Sequence, residues 1–461
     1  MTKQSSNEEA TLKWWQLSLL GVACTIGTGY FLGSSLALHV GGPSVLIVFV
    51  LAAIGTFTVY DVLAKMTAEQ PEKGSFRSYA KKAFGRWAGF SSGWVYWGSE
   101  LLIMGSQLTA LSIFSRFWFP AIPMWVFASI YGVLGLVVIM LGNKGFDSLE
   151  NILSIIKIAA IVMFIVIAVI ALMGWIKGTG RAPAFPHTMQ SFLPHGIRGL
   201  WSAFIFAFYA YGGIEVLGLM AVRLKNLEEA PKAGRVMLLL LTTLYILSLG
   251  LAVTIVSWDA FIPKKSPFIT ALANYPLPFI PHLFNAVLII AGFSTMVASL
   301  FAVTTMLVTL AEDKDAPPLF AKKVKKKHPL YAIALTAAGL VASIILALVM
   351  PGKIYEYVTT GAGLLLLYNW LFILITSGKL LKLTVFGQIK RFLGMALIGL
   401  AVGGTLLHET SRPGFWGSLI FVGVIGCVTL LMQTLVWKKQ KQKQKRDSRR
   451  VMLRRKRGGA H

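Results

Sequence analysis

The sequence contains little cysteine and few charged residues. Only two cysteines occur in 461 residues, and Cys24 and Cys427 both lie inside apolar runs. A disulfide framework is therefore excluded, and we interpret both as packing residues. Charged residues make up 13% of the chain and apolar residues 56%, and this charged fraction is about half that of a typical soluble domain. The composition excludes a soluble enzyme, a disordered chain and a fibrous protein, and it predicts a polytopic membrane protein.

Acidic residues are also scarce, with 18 Asp and Glu against 44 Lys and Arg, so the net charge is +26. On a folded polar surface this excess would suggest nucleic-acid binding. Here the basic residues sort into alternate loops, with 36 on the side of the N-terminus and 8 on the other side. The positive-inside rule therefore predicts that both termini are cytoplasmic and that the protein lies in the cell membrane.

The C-terminal segment 438–461 carries much of this charge. From Lys438 to Arg457 it holds 12 Lys and Arg and one acid, Asp447. We expect a disordered cytoplasmic tail that fixes the topology. Binding to anionic lipid is the alternative, since such a cluster gains about 1 kcal/mol per basic residue near the membrane surface. Nucleic acid is not an expected partner.

Runs of about 20 mostly apolar residues predict an all-α fold with about twelve transmembrane helices. The ten-residue alternating segments that a transmembrane β-barrel needs are absent. A short cytoplasmic tail, 1–14, precedes the first run. The twelve runs lie at 15–39, 43–65, 89–117, 122–142, 152–175, 197–221, 235–257, 283–311, 331–350, 355–377, 392–409 and 414–437.

The first span contains glycines at mid-membrane. Gly27 and Gly29 flank Thr28, and Thr25 precedes them. Each glycine weakens a helix by about 1 kcal/mol relative to alanine, and it lets the backbone approach a ligand closely. If the helix unwinds here, free amide groups and the positive end of the next half-helix form a site for a carboxylate. The alternative is a close helix–helix contact through small residues.

The sixth span repeats the pattern, since residues 206–215 read FAFYAYGGIE. Unwinding at the paired glycines would leave carbonyl groups free to accept from an ammonium group, beside aromatic side chains. Interruptions in the first and sixth helices occupy corresponding positions in two five-helix halves. This arrangement is typical of an inverted-repeat secondary transporter. The halves would span 15–175 and 197–377, and two further helices would occupy 392–437.

Four polar side chains within the spans are candidates for function. Lys157 lies about six residues into the fifth span, where it either serves a site or extends to the cytoplasmic surface. Glu215 is either a structural carboxylate or part of a coupling site. Glu100 and Gln107 are seven residues apart, so both lie on one helix face, directed at a polar cavity or at another helix.

Motifs for nucleotide, metal or catalytic chemistry are absent from the sequence. We find no Walker-type glycine loop, no metal-ligand spacing among the 7 histidines and no nucleophile elbow. We therefore predict no cofactor, no bound metal, no enzymatic activity and no ATP-driven transport. No potassium-type filter or voltage sensor indicates a channel. A receptor that binds a nutrient without moving it remains an alternative.

Several motifs follow one another along residues 12–437. They read IGTGYFLG at 26–33, GSF at 74–76, GW at 93–94, YGGIE at 211–215, and AED with APP at 311–318. Together they resemble the amino acid–polyamine–organocation superfamily and, within it, the bacterial amino-acid permease family. The resemblance implies the leucine-transporter-type fold, with two inverted five-helix repeats plus two helices, and amino-acid uptake that is usually driven by protons.

The resemblance also implies separate roles for the two breaks. The first would bind the substrate carboxylate through Thr25, Gly27, Thr28 and Gly29. The second would hold the amino group and side chain, and with the neighbouring third helix it predicts a pocket of Phe208, Tyr209, Ala210, Tyr211, Gly212 and Met104.

Lys157 matches a fifth-helix lysine that, in sodium-independent or proton-coupled relatives, occupies the place of a sodium ion. The resemblance implies that its ammonium group bridges first-helix carbonyls and eighth-helix hydroxyls. The candidate hydroxyl partners are Ser294, Thr295 and Ser299.

Two third-helix residues depart from the family pattern. Most relatives carry an acid where Gln107 stands and a tryptophan where Glu100 stands, and we interpret these departures as signs of a divergent subfamily. The expected pocket is apolar and lacks a free acid unless Glu100 or Glu215 faces inward. We therefore predict import of a neutral, apolar or branched L-amino acid by alternating access, coupled to protons and independent of sodium. Exchange, or transport of a cationic amino acid, is the alternative.

Overall fold

The computed structural model describes residues 12–176, 178, 186–263, 265–322, 329–349 and 354–438. Over these residues the chain is helical, and its β structure is limited to an isolated parallel bridge between Leu12 and Leu224. The α-helices that begin before residue 200 are α1 (Trp14–Thr25), α2 (Thr28–Phe31), α3 (Gly33–Gly41), α4 (Val45–Glu69), α5 (Phe76–Phe84), α6 (Arg86–Ser115), α7 (Met124–Met140), α8 (Gly142–Leu172), α9 (Met189–Phe192) and α10 (Gly196–Ser202). The remaining helices are α11 (Phe204–Ala210), α12 (Ile214–Met220), α13 (Ala230–Ile255), α14 (Pro267–Leu272), α15 (Ile280–Glu312), α16 (Leu330–Val349), α17 (Ile354–Leu380), α18 (Val385–Gly404) and α19 (Arg412–Leu431).

Eight helical segments in the described part of the chain are long and apolar enough to cross a membrane. Two shorter apolar helices, Met124–Met140 and Leu330–Ile345, accompany them. The described residues thus form a helical structure that fits a multi-pass membrane protein, because in lipid a helix satisfies its own backbone hydrogen bonds. The total of about twelve spans and the inverted repeats remain predictions.

Two predicted spans, 15–39 and 197–221, are not single helices. The first is divided into α1, α2 and α3, and the second into α10, α11 and α12. Helix α1 packs against α8, α12, α13 and α15, while the long helix α6 lies against α15 and α17. The interrupted segments are thus enclosed by long, continuous helices, which hold the two interruptions at the centre of the molecule.

The two cysteines have different environments. Cys24 is buried at the end of α1, as predicted for a packing residue, whereas Cys427 on α19 is exposed. The prediction was therefore wrong for Cys427. Its apolar sequence context does not indicate burial, because an apolar helix at the periphery of a membrane protein presents most of its surface outward.

A cluster of ion pairs joins α5 and the start of α6 to the end of α15. Arg77, which is fully buried, donates to Asp313 at 2.7 Å and also to the buried Asp315. Lys81 pairs with Asp313 at 2.8 Å, and Arg86 with Asp315 at 2.7 Å. Burial alone would raise the pKa of Asp313, but the hydrogen bonds and charges of Lys81 and Arg77 outweigh it and lower that pKa.

Replacing Arg77 by glutamine should strongly destabilise the fold. The change removes one of the two basic partners of Asp315 and one of the two of Asp313, and breaking a buried pair costs about 3–5 kcal/mol. The exposed pair between Lys65 and Asp61, at 2.7 Å, offers a control, since losing an exposed pair costs at most about 1 kcal/mol. Thermal unfolding in detergent should show a clearly larger drop for Arg77→Gln than for Lys65→Ala. Equal drops would contradict a structural role for the cluster.

Candidate functional site

The first interruption lies where the sequence predicts it. Helix α1 ends at Thr25, Ile26 and Gly27 have extended backbones, and α2 begins at Thr28. A side chain at Gly27 is excluded by close packing, because its Cβ would lie 2.4 Å from Cγ2 and 2.9 Å from Cβ of Thr295. Among the described residues, the Gly27 amide N–H donates to no main-chain carbonyl in the turns, loops and helix ends. The break therefore presents a polar main-chain group inside the protein.

Side chains from two continuous helices hold the start of α2. The side-chain amide oxygen (Oε1) of Gln107 on α6 accepts hydrogen bonds from the Thr28 hydroxyl at 2.5 Å and from the Thr28 main-chain amide at 3.3 Å. Tyr355 on α17 donates its hydroxyl proton to the Thr28 carbonyl oxygen at 3.1 Å. Nearby, the buried Thr25 hydroxyl has no hydrogen-bond partner in the described part of the chain.

The second interruption separates α11 from α12 at residues 211–213. Gly213 adopts a φ of 110°, and its Cβ, if present, would lie 2.7 Å from the Cys24 carbonyl oxygen. Only glycine fits this position, since a left-handed backbone and a close main-chain contact coincide. Glu215 accepts from the Gly213 amide at 3.1 Å and from the Trp370 indole N–H at 3.1 Å.

A cavity lies between the two interruptions, and we refer to it as the central cavity. Eight of the predicted site residues line it, namely Thr25, Gly29, Glu100, Gln107, Tyr209, Gly212, Thr295 and Ser299. Five further residues complete its wall, namely Cys24, Ile103, Gly213, Val216 and Ala298. The spacing of Ile103, three residues after Glu100 on α6, and of Ala298, three residues after Thr295 on α15, could have indicated both, whereas Val216 has no comparable signal.

Other predicted pocket residues lie outside the lining of the central cavity. Phe208 forms an edge-to-face contact with Trp370, at 6.2 Å between ring centroids, and Tyr211 packs against Tyr245, at 5.2 Å. Ala210 accepts a hydrogen bond from Tyr245 through its carbonyl oxygen at 3.1 Å. Met104 is buried in the core. Successive residues of a helix point about 100° apart, so only part of any short motif can face one cavity.

Lys157 lies beside the first interruption. Its side chain is fully buried, which contradicts the alternative that it extends to the membrane surface. The ammonium group donates to the Ala23 carbonyl oxygen at 2.6 Å and to the Ser294 hydroxyl at 2.8 Å. These are the kinds of partners that the family resemblance implies.

Glu150 completes this group, and sequence reasoning missed it. Its buried carboxylate accepts a hydrogen bond from the hydroxyl of Ser294, which thereby links it to Lys157. Glu150 precedes Lys157 by seven residues on α8, so two helical turns place both on one face. The same seven-residue spacing that relates Glu100 and Gln107 could have indicated this pair.

No group of three or more His, Cys, Asp or Glu side chains that could hold a metal occurs within the ranges that the structure describes. The polar groups at the site are instead main-chain amides and carbonyls, hydroxyls, and a few carboxyl and ammonium groups. Such groups are suited to bind a small zwitterion and to exchange protons.

Discontinuous helices that meet at a buried cavity define a class of multi-pass membrane proteins with a central ligand site. The chain belongs to the amino acid permease family, whose model matches residues 16–449. This finding confirms the predicted family, which lies within the amino acid–polyamine–organocation superfamily.

Several relatives support the assignment. The chain is 55% identical to the uncharacterized transporter YcgH of Bacillus subtilis, over 92% of this chain and 95% of the relative. It is 29% identical to the aromatic amino acid transport protein AroP of Escherichia coli K12, over 80% and 81%. It is 25% identical to the gamma-aminobutyric acid permease of Bacillus subtilis, over 96% and 97%. The family and these names indicate an amino-acid transporter rather than an enzyme.

Proposed function

We propose that the protein imports an L-amino acid by alternating access. The supporting observation is that both half-helix interruptions are present and touch each other, with Gly213 packed against the carbonyl of Cys24. We further propose twelve transmembrane helices, with inverted repeats at 15–175 and 197–377. In this cycle the segments containing the breaks move against the continuous helices, and substrate shifts the equilibrium only by its difference in affinity for the two states.

The substrate would be held by its zwitterionic backbone. Its carboxylate would accept from the Gly27 amide and the unpartnered Thr25 hydroxyl, near the N-terminal end of α2. Its ammonium group would donate to carbonyl oxygens released between α11 and α12. This orientation follows from electrostatics, because free amides attract anions and free carbonyls attract cations.

The substrate side chain is proposed to be neutral and apolar or branched. Ile103, Val216 and Ala298 give the central cavity an apolar wall. The name of the AroP relative, a transporter of aromatic amino acids, fits an apolar side chain. Transport of a cationic amino acid is the second candidate, and the position of Glu100 at the cavity favours it.

Uptake is proposed to be coupled to protons and independent of sodium. The ammonium group of Lys157 already satisfies the carbonyl of Ala23 and the hydroxyl of Ser294, as a bound cation would. Of the three candidate α15 hydroxyls, that of Ser294 contacts the Lys157 ammonium group, whereas the Thr295 hydroxyl donates to the carbonyls of Ala291 and Gly292 and Ser299 lines the central cavity. Amino-acid exchange is the alternative mode.

The proposed location is the cell membrane, with both termini in the cytoplasm. The distribution of 36 basic residues on one side against 8 on the other supports it. The tail residues 439–461, for which we propose a topological role or anionic-lipid binding, lie outside the described residues.

Uptake of radiolabelled amino acids into proteoliposomes tests the proposed function. Neutral apolar or branched L-amino acids should compete best, and an imposed proton gradient, but not a sodium gradient, should drive accumulation. The corresponding amine that lacks a carboxylate should not compete, because it cannot bind the amides of the first break. Tight binding of that amine would refute the assignment of the first break, and preferred uptake of lysine or arginine would favour the second candidate.

A further inference from the structure

Two carboxyl groups meet beside the central cavity. Glu100 on α6 and Glu215 on α12 are 2% and 1% exposed, and their carboxyl groups interact directly with each other. Among the described residues, neither carboxyl forms an ion pair with a Lys, Arg or His side chain. Two adjacent carboxyl groups that are almost fully buried cannot both remain ionised without a large electrostatic cost, so the pair favours a shared proton.

The hydrogen bonds distinguish the two carboxyl groups. Both oxygens of Glu215 accept from N–H donors, one from Gly213 and the other from Trp370, each at 3.1 Å. Such bonds stabilise the carboxylate form. Glu100 instead interacts with the Ser299 hydroxyl, and a hydroxyl group can pair with either form of a carboxyl group.

Among the described residues, Glu215 is the carboxyl group that interacts with Glu100. The titratable groups that interact with it are Glu215, the Tyr96 and Tyr209 phenols, and the Cys24 thiol. Glu100 itself lines the central cavity, whereas Glu215 does not. Glu100 is therefore the member of the pair that can exchange a proton with water in that cavity.

We propose that Glu100 is a proton-binding site that shares its proton with Glu215 and is distinct from Lys157. The inference rests on the proposed transport function and adds a second group for coupling. The proton passes from external water to the Glu100 carboxylate and later from the carboxyl group to cytoplasmic water. Without this proton, the negative charges of Glu100 on α6 and Glu215 on α12 face each other, and their repulsion moves the second break away from the continuous helix α6.

Infrared difference spectroscopy with a pH step tests the site without requiring transport. In purified protein in lipid vesicles, a protonated-carboxyl band should appear for the wild type. The band should vanish in Glu100→Gln, which keeps the size of the side chain, and it should persist in Glu69→Gln, a change at the exposed end of α4. It should also persist in Lys157→Met. An unchanged band in Glu100→Gln would overturn the proposal.

Transport by the same variants tests the coupling. In Glu100→Gln a proton gradient should no longer raise the accumulation of a neutral amino acid above the level reached without the gradient, whereas Glu69→Gln, at the exposed end of α4, should accumulate it as the wild type does. Unchanged proton-driven accumulation, or selective loss of cationic substrates, would overturn the proposal. A wild type that shows the band but transports no amino acid would refute the transport function and retain the proton site.

Discussion

Replacing Lys157 by alanine is expected to abolish concentrative uptake while leaving part of the exchange of labelled for unlabelled substrate. The ammonium group connects α8 to the end of α1 through Ala23 and to α15 through Ser294. If its proton is the coupling ion, its loss disconnects the proton gradient from the movement of the first break. The binding surface between the breaks contains no atom of Lys157, so exchange should survive in part.

Two further variants separate coupling from misfolding. Removal of Lys157 leaves Glu150 buried beside Ser294, and an uncompensated buried charge costs several kcal/mol. The double change Lys157→Met with Glu150→Gln removes both charges, and we expect it to restore thermal stability but not proton-driven accumulation. Lys65→Ala, on an exposed helix face, should behave as the wild type. Proton-driven accumulation that persists in Lys157→Ala would refute the coupling role.

Replacing Gly213 by alanine should reduce uptake by at least about tenfold. The new Cβ would lie 2.7 Å from the Cys24 carbonyl oxygen, in a backbone with φ of 110°. Overpacking costs about 1–3 kcal/mol, and a left-handed conformation adds about 1–2 kcal/mol for a residue with a side chain. Since each 1.4 kcal/mol corresponds to about a factor of ten, the two costs together exceed a tenfold effect, and substrate binding should weaken strongly if the breaks form the site.

Gly399→Ala provides the matched control, because this glycine lies on α18 with no atom near the added Cβ. The initial rate of uptake and the substrate affinity should both be measured in the same vesicles. Both should fall in the Gly213 variant and stay at the wild-type level in the Gly399 variant. A normal substrate affinity in Gly213→Ala would exclude the second break from the binding site.

The positions of both interruptions could be predicted from the sequence, because glycine pairs beside polar residues are rare in an apolar span and act locally. The family was predicted from short motifs and is confirmed. Lys157 was recognisable as costly at membrane depth. Its partner Glu150 was missed, because it falls before the predicted fifth span at 152–175, whereas α8 begins at Gly142. A helix continues beyond the apolar window that marks it, and polar residues in its ends can still be buried.

The sequence by itself determined that this chain is a helical membrane protein of the amino acid permease family, since apolar length, glycine pairs and ordered motifs are local properties. Only the tertiary structure decided which polar groups meet. Lys157 reaches Ala23, 134 residues away, and Glu100 faces Glu215. Met104 and Phe208, by contrast, turn away from the central cavity. The physical reason is that each helix can rotate about its axis without changing its composition, and only packing against its neighbours fixes the face that it presents.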